Sequence, residues 1–349
     1  MSDPAPLRIG ILGAANIARA FCRGVAGSPL VEVAAVASRT PDKAGAFAAE
    51  CAIPRAHGSY QALLADPEIE AVYIPLPNHL HAEWAIRAAE AGKHVLCEKP
   101  VAIGGAEAQA MFDAARAHGV QLVEAYPYMA QPQTLRLRAL IAQGAVGRVQ
   151  MVSASFGFAF CAPDGTVLRD PDDIRLDPAR GGGALLDAGT YSMSLIRIAT
   201  GERPARVHAV GRTGPSGVDL TVAATLCFPS GAIAQLGCSM ATAGHRHATI
   251  TGDLGVIETS YGNHAPQGAA TLPLRVKRGA ANPVPFEELT VPATDGFRAE
   301  AESFARMIRL GPQHWSGASE AESVDVALAL EAIALSARED RWVTLPSAE

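Results

Sequence analysis

The chain has 349 residues, 49% of them hydrophobic, and a formal net charge of -6. That length suits about two domains and a sizeable core. The mildly acidic balance, without basic tracts, argues against a nucleic-acid partner, and no run approaches the roughly 18 apolar residues of a membrane span. "MSDPAPLRIG" has neither a basic-then-apolar leader nor a twin-arginine start. The six cysteines form no CxxC pair and several sit among apolar residues, which predicts reduced thiols in a soluble, cytoplasmic protein.

In chain order, residues 7–12 read as a short apolar strand, 16–26 as a helix and 31–37 as a second strand. Thr40 stands as the cap of a helix that begins at Pro41, a favoured first-turn proline. Ser59 caps a further short helix, and "EAVYI" (70–74) forms the next strand. A helix over 79–91 stops at Gly92, a C-terminal signal. Residues 95–97 read as strand, 106–117 as a helix ended by His118-Gly119, and 120–125 as strand. Strands separated by helices of this length predict parallel pairing with right-handed crossovers. Residues 1–125 are therefore expected to form an α/β, doubly wound parallel sheet.

The rhythm changes after Tyr126. A helix over 133–143 leads into the strand 148–158, "RVQMVSASFGF". From residue 206 onward, strands are joined by tight turns: "DLTVAATLCF", Pro229-Ser230-Gly231, then "AIAQLGCSM", with another hairpin at Gly252 to Gly255. Val222, Leu226 and Phe228 alternate with Thr221, Ala223, Thr225 and Cys227, so one face is bulky and the other small and only partly polar. The second face suits another sheet, as in a homodimer, or a cover of long loops. Residues 262–296 read as loop-rich, with Pro and Gly, and helices close the chain near 297–309 and 320–338. Residues 126–349 are expected as a second α+β domain, a large, mostly antiparallel, open-faced sheet flanked by helices.

"IGILGAANIARAF" follows the first strand and opens the first helix. Gly13, Ala15 and Ala18 fill the small-residue positions of a dinucleotide fingerprint, whose turn, with Asn16 and Ile17 in the first helical residues, faces backbone N–H groups toward a pyrophosphate. A tight turn with close helix packing is the bland reading; placement between first strand and first helix favours nucleotide. The second strand ends "AVASRTPDK", offering Ser38 and Arg39 where an NAD enzyme places an acid. A donor and a fixed cation suit a 2′-phosphate, so NADP(H) is the expected cofactor. At the fourth strand, "IPLPNHLHAEW" sets Pro75 and Pro77 in an extended turn, Asn78 as cap of the next helix, and His81 close behind. Side chains there are expected near the nicotinamide end of a dinucleotide. His79 and His81 point apart on a helix, and His245 and His247 share a strand face without a third ligand, so no metal is predicted.

Two stretches bear on chemistry. "GKHVLCEKPVAIGG" (92–105) runs a buried strand straight into Glu98, Lys99 and Pro100 at the sheet edge where open α/β folds bind ligands. "RGGGALLDAGTYSMSLIRIATG" (180–201) is a flexible glycine entry into a helix, with Asp187 and Tyr191 as i,i+4 neighbours. On residues alone, Asp187 bonding a nearby loop and Tyr191 merely packing is the simpler reading.

"GILGAANIA", "PNHLH", "CEKP" and "GGGALLDAGTY", in this order and spacing, resemble the Gfo/Idh/MocA oxidoreductase family over nearly the whole chain. The likeness is strongest to members that oxidise or reduce pyranose sugars with NADP(H), to aldose–aldose oxidoreductases and to dimeric dihydrodiol dehydrogenases. It implies a Rossmann domain followed by an open-faced sheet domain, catalytic roles for Lys99 and Tyr191, and a substrate-binding role for Asp187. Where many sugar-handling relatives carry basic residues, this chain reads "AYPYMAQPQ" (125–133); Tyr126 and Tyr128 are expected to supply stacking to the substrate instead.

The chemistry implied is alcohol oxidation, in which a hydroxyl proton leaves as hydride goes to the nicotinamide. A free phenol, with a pKa of about 10, is a poor base at neutral pH. An ammonium roughly 4 Å away contributes about 4 kcal/mol of gross attraction at an effective dielectric near 20, which favours the phenolate. Pro100, through a cis bond, would keep the Lys99 loop rigid, Glu98 would anchor it, and Glu98 and Lys99 are both expected beside the cofactor. The expected activity is an NADP(H)-dependent oxidoreductase acting on a cyclic polyol, foremost an aldopyranose taken to its lactone or exchanged with a second aldose on retained cofactor. A trans-dihydrodiol dehydrogenase, an NAD(P)-dependent glycoside hydrolase and a non-catalytic nucleotide or sugar sensor are the alternatives.

Overall fold

A computed structural model describes residues 5–264 and 269–347. The first four residues of the amino-terminal stretch, 265–268 of the expected loop, and the last two residues lie outside that set. The chain divides into two compact units: one comprises residues up to Ala102, Glu107–Gln131 and Thr294–Glu320, the other Ile103–Ala106, Pro132–Ala293 and residues from Ala321 onward.

In the first unit, β1 (Leu7–Leu12), β2 (Val31–Ala37), β3 (Arg55–His57), β4 (Ala71–Ile74), β5 (His94–Glu98) and β6 (Leu122–Ala125) form a parallel sheet of order β3-β2-β1-β4-β5-β6. Leu7, Ile9, Ile11, Val72, Tyr73, Val95 and Leu96 are all 0% exposed, which is why these strands read as continuous apolar runs rather than alternating ones. The helices between them are α1 (Asn16–Val25), α2 (Pro41–Glu50), α3 (Tyr60–Leu64), α4 (His81–Glu90) and α5 (Gly105–Ala117). Ser59 accepts from the Ala62 amide at 3.1 Å as predicted. Thr40 occupies the cap position of α2 without a side-chain hydrogen bond, Pro41 at the first position being sufficient to start the helix. β3 was not legible in the sequence: it is three residues long and lacks an apolar run.

The second unit has α6 (Pro132–Ala142) and α7 (Thr190–Thr200). Its strands are β7 (Val149–Ala159), β8 (Arg206–Thr213), β9 (Asp219–Cys227), β10 (Ile233–Ser239), β11 (Ala241–Gly252), β12 (Gly255–Thr259), β13 (Thr271–Arg278), β14 (Glu287–Pro292) and β15 (Val343–Thr344). They run in the order β14-β13-β12-β11-β7-β10-β9-β8-β15, antiparallel except where β10 pairs with β7. α6, α7 and α9 (Glu320–Glu339) cover one face, against which Val222, Ala224 and Leu226 are buried. The opposite face exposes Met151, Val210 and Ile233 beside Thr225 and Gln235.

Two expectations need correction. Residues 262–296 hold, besides the expected loops, the paired strands β13 and β14; Pro273 and the scattered charges masked the alternation of Leu272, Leu274 and Val276. The division is not a single cut at 125. α8 (Gly296–Leu310) belongs to the first unit, where Phe297, Ala301 and Phe304 join the core around Phe21 and Tyr73. Burying such aromatic side chains contributes about 1.5–3 kcal/mol each, and chain order says nothing of which core receives them. Among the described residues no helix is long and apolar enough to cross a membrane.

Candidate active site

The nucleotide end is built from the turn between β1 and α1. Gly13 has φ +118°, donates its amide to Ala37 O at 2.9 Å, and would bring a Cβ within 3.0 Å of the Leu76 side chain. Only glycine takes that backbone without strain. Ala15 is the N-cap of α1 and supplies no side-chain cap, so the helix's first N–H groups are left to another acceptor. Asn16 and Ile17, both exposed, begin the helix, with Asn16 Oδ1 accepting from Arg19 at 3.3 Å. A cradle that a Cβ would fill, facing an uncapped helix start, fits a dinucleotide pyrophosphate.

At the end of β2, Ser38 is 6% exposed, and its amide donates to His57 O at 3.2 Å. Arg39 is exposed and, among the described residues, has no ion pair; its charge reaches the Tyr60 phenol, whose pKa burial nonetheless pushes up. The fixed cation and donor that suit a 2′-phosphate are thus both at this strand tip.

The third piece is the pair of loops after β4 and β5. Pro75 is buried behind Gly13. Asn78 is the first residue of a 3₁₀ turn, Asn78–Leu80, whose cap position is taken by Pro77, so the expected capping role is corrected. His81 is 0% exposed, and its ring nitrogens lie 2.8 Å from Pro100 O and 2.8 Å from Leu76 O. Both lie against backbone, so His81 is a strut between the two loops. Burial holds the imidazole below its ordinary pKa, with the two carbonyls acting in the opposite sense.

Glu98 ends β5, opposite Ala125. It accepts from Tyr73 Oη at 2.5 Å and from the Lys99 amide at 3.3 Å, contacts that tie the strand end to the loop. The Lys99–Pro100 bond is cis, and the Val101 amide donates to Glu124 at 2.9 Å. Lys99 is half-buried at this edge. Tyr126 and Tyr128, expected to stack on the substrate, are 1% and 0% exposed and pack edge-to-face on each other. The residues after β6 form a buried 3₁₀ turn, Pro127–Ala130.

The second unit carries the other predicted groups. Gly183, φ +110°, would place a Cβ 2.3 Å from Asp219 Oδ1. Asp219 in turn accepts the Leu185 amide at 2.7 Å, fixing the start of a π-helical turn, Leu185–Gly189, that continues into α7. The glycines of "RGGGALLDAG" therefore admit a carboxylate close to the backbone. Asp187 stands in this turn and accepts from Arg175 Nε at 2.6 Å; Arg175 also contacts Asp173 at 3.2 Å.

Tyr191, 4% exposed, opens α7 above β7. Phe156 meets its ring edge-on at 5.6 Å. Arg246, paired with Phe156 across the β7–β11 ladder, lies 3.8 Å over the Phe156 ring and 4.2 Å over the Tyr191 ring. Asn263 Nδ2 donates to the Tyr191 phenol oxygen at 2.8 Å. The sequence reading missed Arg175, Arg246 and Asn263. A signal existed for Arg246: His245 and His247 share the exposed strand face, so the residue between them must turn inward beneath the helix. Among the described residues no group of three or more His, Cys, Asp or Glu is placed to hold a metal ion, and all six cysteines are free.

Comparison with known proteins agrees with both halves. Residues 7–126 match the model of an oxidoreductase family with an NAD-binding Rossmann fold, and 134–258 match the GFO/IDH/MocA C-terminal domain. The chain is 38% identical to D-xylose 1-dehydrogenase (NADP(+)) 2 of Haloferax volcanii, over 97% of this chain and 100% of that protein. It is 34% identical to trans-1,2-dihydrobenzene-1,2-diol dehydrogenase of Danio rerio, over 92% of this chain and 94% of that one. Among solved structures, the aldose–aldose oxidoreductase of Caulobacter crescentus complexed with glycerol superposes with a TM-score of 0.83 at 30% identity, covering 97% of this chain and 100% of that chain.

Proposed function

Because the chain belongs to the Gfo/Idh/MocA oxidoreductase family, we propose that it oxidises an aldopyranose at C1 to the lactone with NADP⁺, or runs the reverse reduction. The observation that carries this reading is the end-to-end match to an NADP-dependent xylose dehydrogenase. Arg39 and Ser38 at the β2 tip support NADP over NAD. The nicotinamide, when bound, supplies the hydride acceptor. Tyr191 takes the hydroxyl proton at its phenol oxygen, Lys99 contributes the positive charge that such a transfer needs, and Asp187 binds a substrate hydroxyl.

The test is a panel of aldoses and trans-dihydrodiols with NADP⁺ and NAD⁺, run on wild type and Tyr191→Phe. The expected outcome is aldose oxidation with NADP⁺, lowered about 10²–10⁴-fold in Tyr191→Phe, with cofactor affinity retained. Near-normal turnover in that variant ends the assignment. The match to a dihydrodiol dehydrogenase keeps that substrate as the second reading, and diol-only turnover would select it. We also propose a homodimer formed through the uncovered sheet face, supported by the exposure of Met151, Val210 and Ile233. Native mass of wild type and Ile233→Glu tests it; a monomeric wild type rejects it.

A further inference from the structure

Beside Tyr191 stand two residues that the proton-transfer role does not by itself require. Arg246 approaches from β11, with its guanidinium over two aromatic rings. The same group donates to Tyr261 O at 3.2 Å and to Asn263 Oδ1 at 3.3 Å. A guanidinium has donors and no acceptor, so the Asn263 oxygen must face it. The amide NH₂ of Asn263 is thereby turned toward Tyr191, whose phenol oxygen it meets at 2.8 Å.

We propose that Arg246 and Asn263 are positioning residues for Tyr191, fixing the plane of its ring and the direction of its hydroxyl proton. The inference rests on Tyr191 being the proton-transfer group of the proposed reaction. The phenol oxygen receives the Asn263 N–H on one lone pair, so its own proton turns away from Asn263. The cation over the ring face holds the ring against rotation, seated in the corner between the phenol and the Phe156 ring that stands edge-on to it. Proton transfer is sensitive to such alignment, because the acceptor must lie within hydrogen-bond reach of the proton it takes. Arg246 thus acts twice on one target, directly over the ring and through the orientation of an amide.

The experiment uses the full chain as Arg246→Met, Asn263→Leu, and each of these in a Tyr191→Phe background. With the preferred aldose and NADP⁺, each single change is expected to lower kcat about tenfold or more while NADPH affinity, read by fluorescence, stays at the wild-type value. In the Tyr191→Phe background, neither change should lower the residual rate further, since residues acting through one group are not additive. Retained kcat in both single variants, or an undiminished effect without the Tyr191 hydroxyl, overturns the proposal. If Arg246→Met does not fold, Asn263→Leu gives the same reading alone. Fluorine NMR of 3-fluorotyrosine-labelled protein, with the Tyr191 signal assigned by Tyr191→Phe, separates this inference from the functional one. The signal should move and broaden in Arg246→Met and Asn263→Leu even if no tested sugar or diol is turned over. An unchanged position and width rejects the positioning role, whereas an inactive wild type with a displaced signal rejects only the assigned reaction.

Discussion

Arg175 Nε donates to Asp187 Oδ2 across 2.6 Å, from the 3₁₀ turn Ile174–Leu176 that precedes the π-helical turn carrying the carboxylate. Asp187 is the main cause of the rise in the Arg175 pKa, ahead of the opposing effect of burial. The contact holds in place the carboxylate proposed above to bind a substrate hydroxyl. Arg175→Met is expected to raise KM for the sugar about tenfold, with a smaller change in kcat and none in cofactor affinity. Arg175→Lys should not restore KM, because an ammonium lacks the fork that reaches both Asp187 and Asp173. Steady-state kinetics on the three proteins decide the matter; an unchanged KM in Arg175→Met removes the role.

Arg39 stands exposed at the end of β2, without an ion pair among the described residues. A 2′-phosphate contact there would be a charge-assisted hydrogen bond. Arg39→Ala is therefore expected to weaken NADPH binding about tenfold or more while leaving NADH nearly unaffected. Titration of both nucleotides measures this, and equal losses for the two would place the 2′-phosphate elsewhere.

Glu300 on α8 is 1% exposed, and neither carboxyl oxygen has a hydrogen-bond partner among the described residues. Burial, and then the nearby charge of Glu98, pushes its pKa well above the carboxylate range. The folded chain thus keeps a proton that the unfolded chain releases above about pH 4.3. Its contribution to stability is complete below that value and declines as pH rises toward the folded pKa. Glu300→Gln cannot ionise, so its melting temperature is expected to gain on that of wild type from about pH 5 to 9. Parallel melting curves for the two proteins would show that Glu300 is already ionised in the fold.

The parallel sheet was legible because it is buried on both sides, which writes each strand as an unbroken apolar run between helix signals. β13 was not, because charged residues on its open side outweighed three buried ones. The site was readable where backbone chemistry demands a residue type, as at Gly13. Burial is what chain order hides: Tyr126, Tyr128 and His81 carry ligand-capable groups, and the fold encloses all three. Arg175, Arg246 and Asn263 come from three separate segments; strand alternation marks Arg246 as inward-facing, but no local spacing marks Arg175 or Asn263.

The late return of α8 to the first unit bears on how such a chain can be rebuilt. Phe297 packs against Phe21 at 6.0 Å, and Phe304 and Ala301 complete the same apolar wall. A nucleotide-binding module transplanted as one contiguous gene segment would arrive with that wall missing. A swap that keeps the module intact must therefore carry two separated stretches of coding sequence, with the intervening sheet treated as an insertion between them.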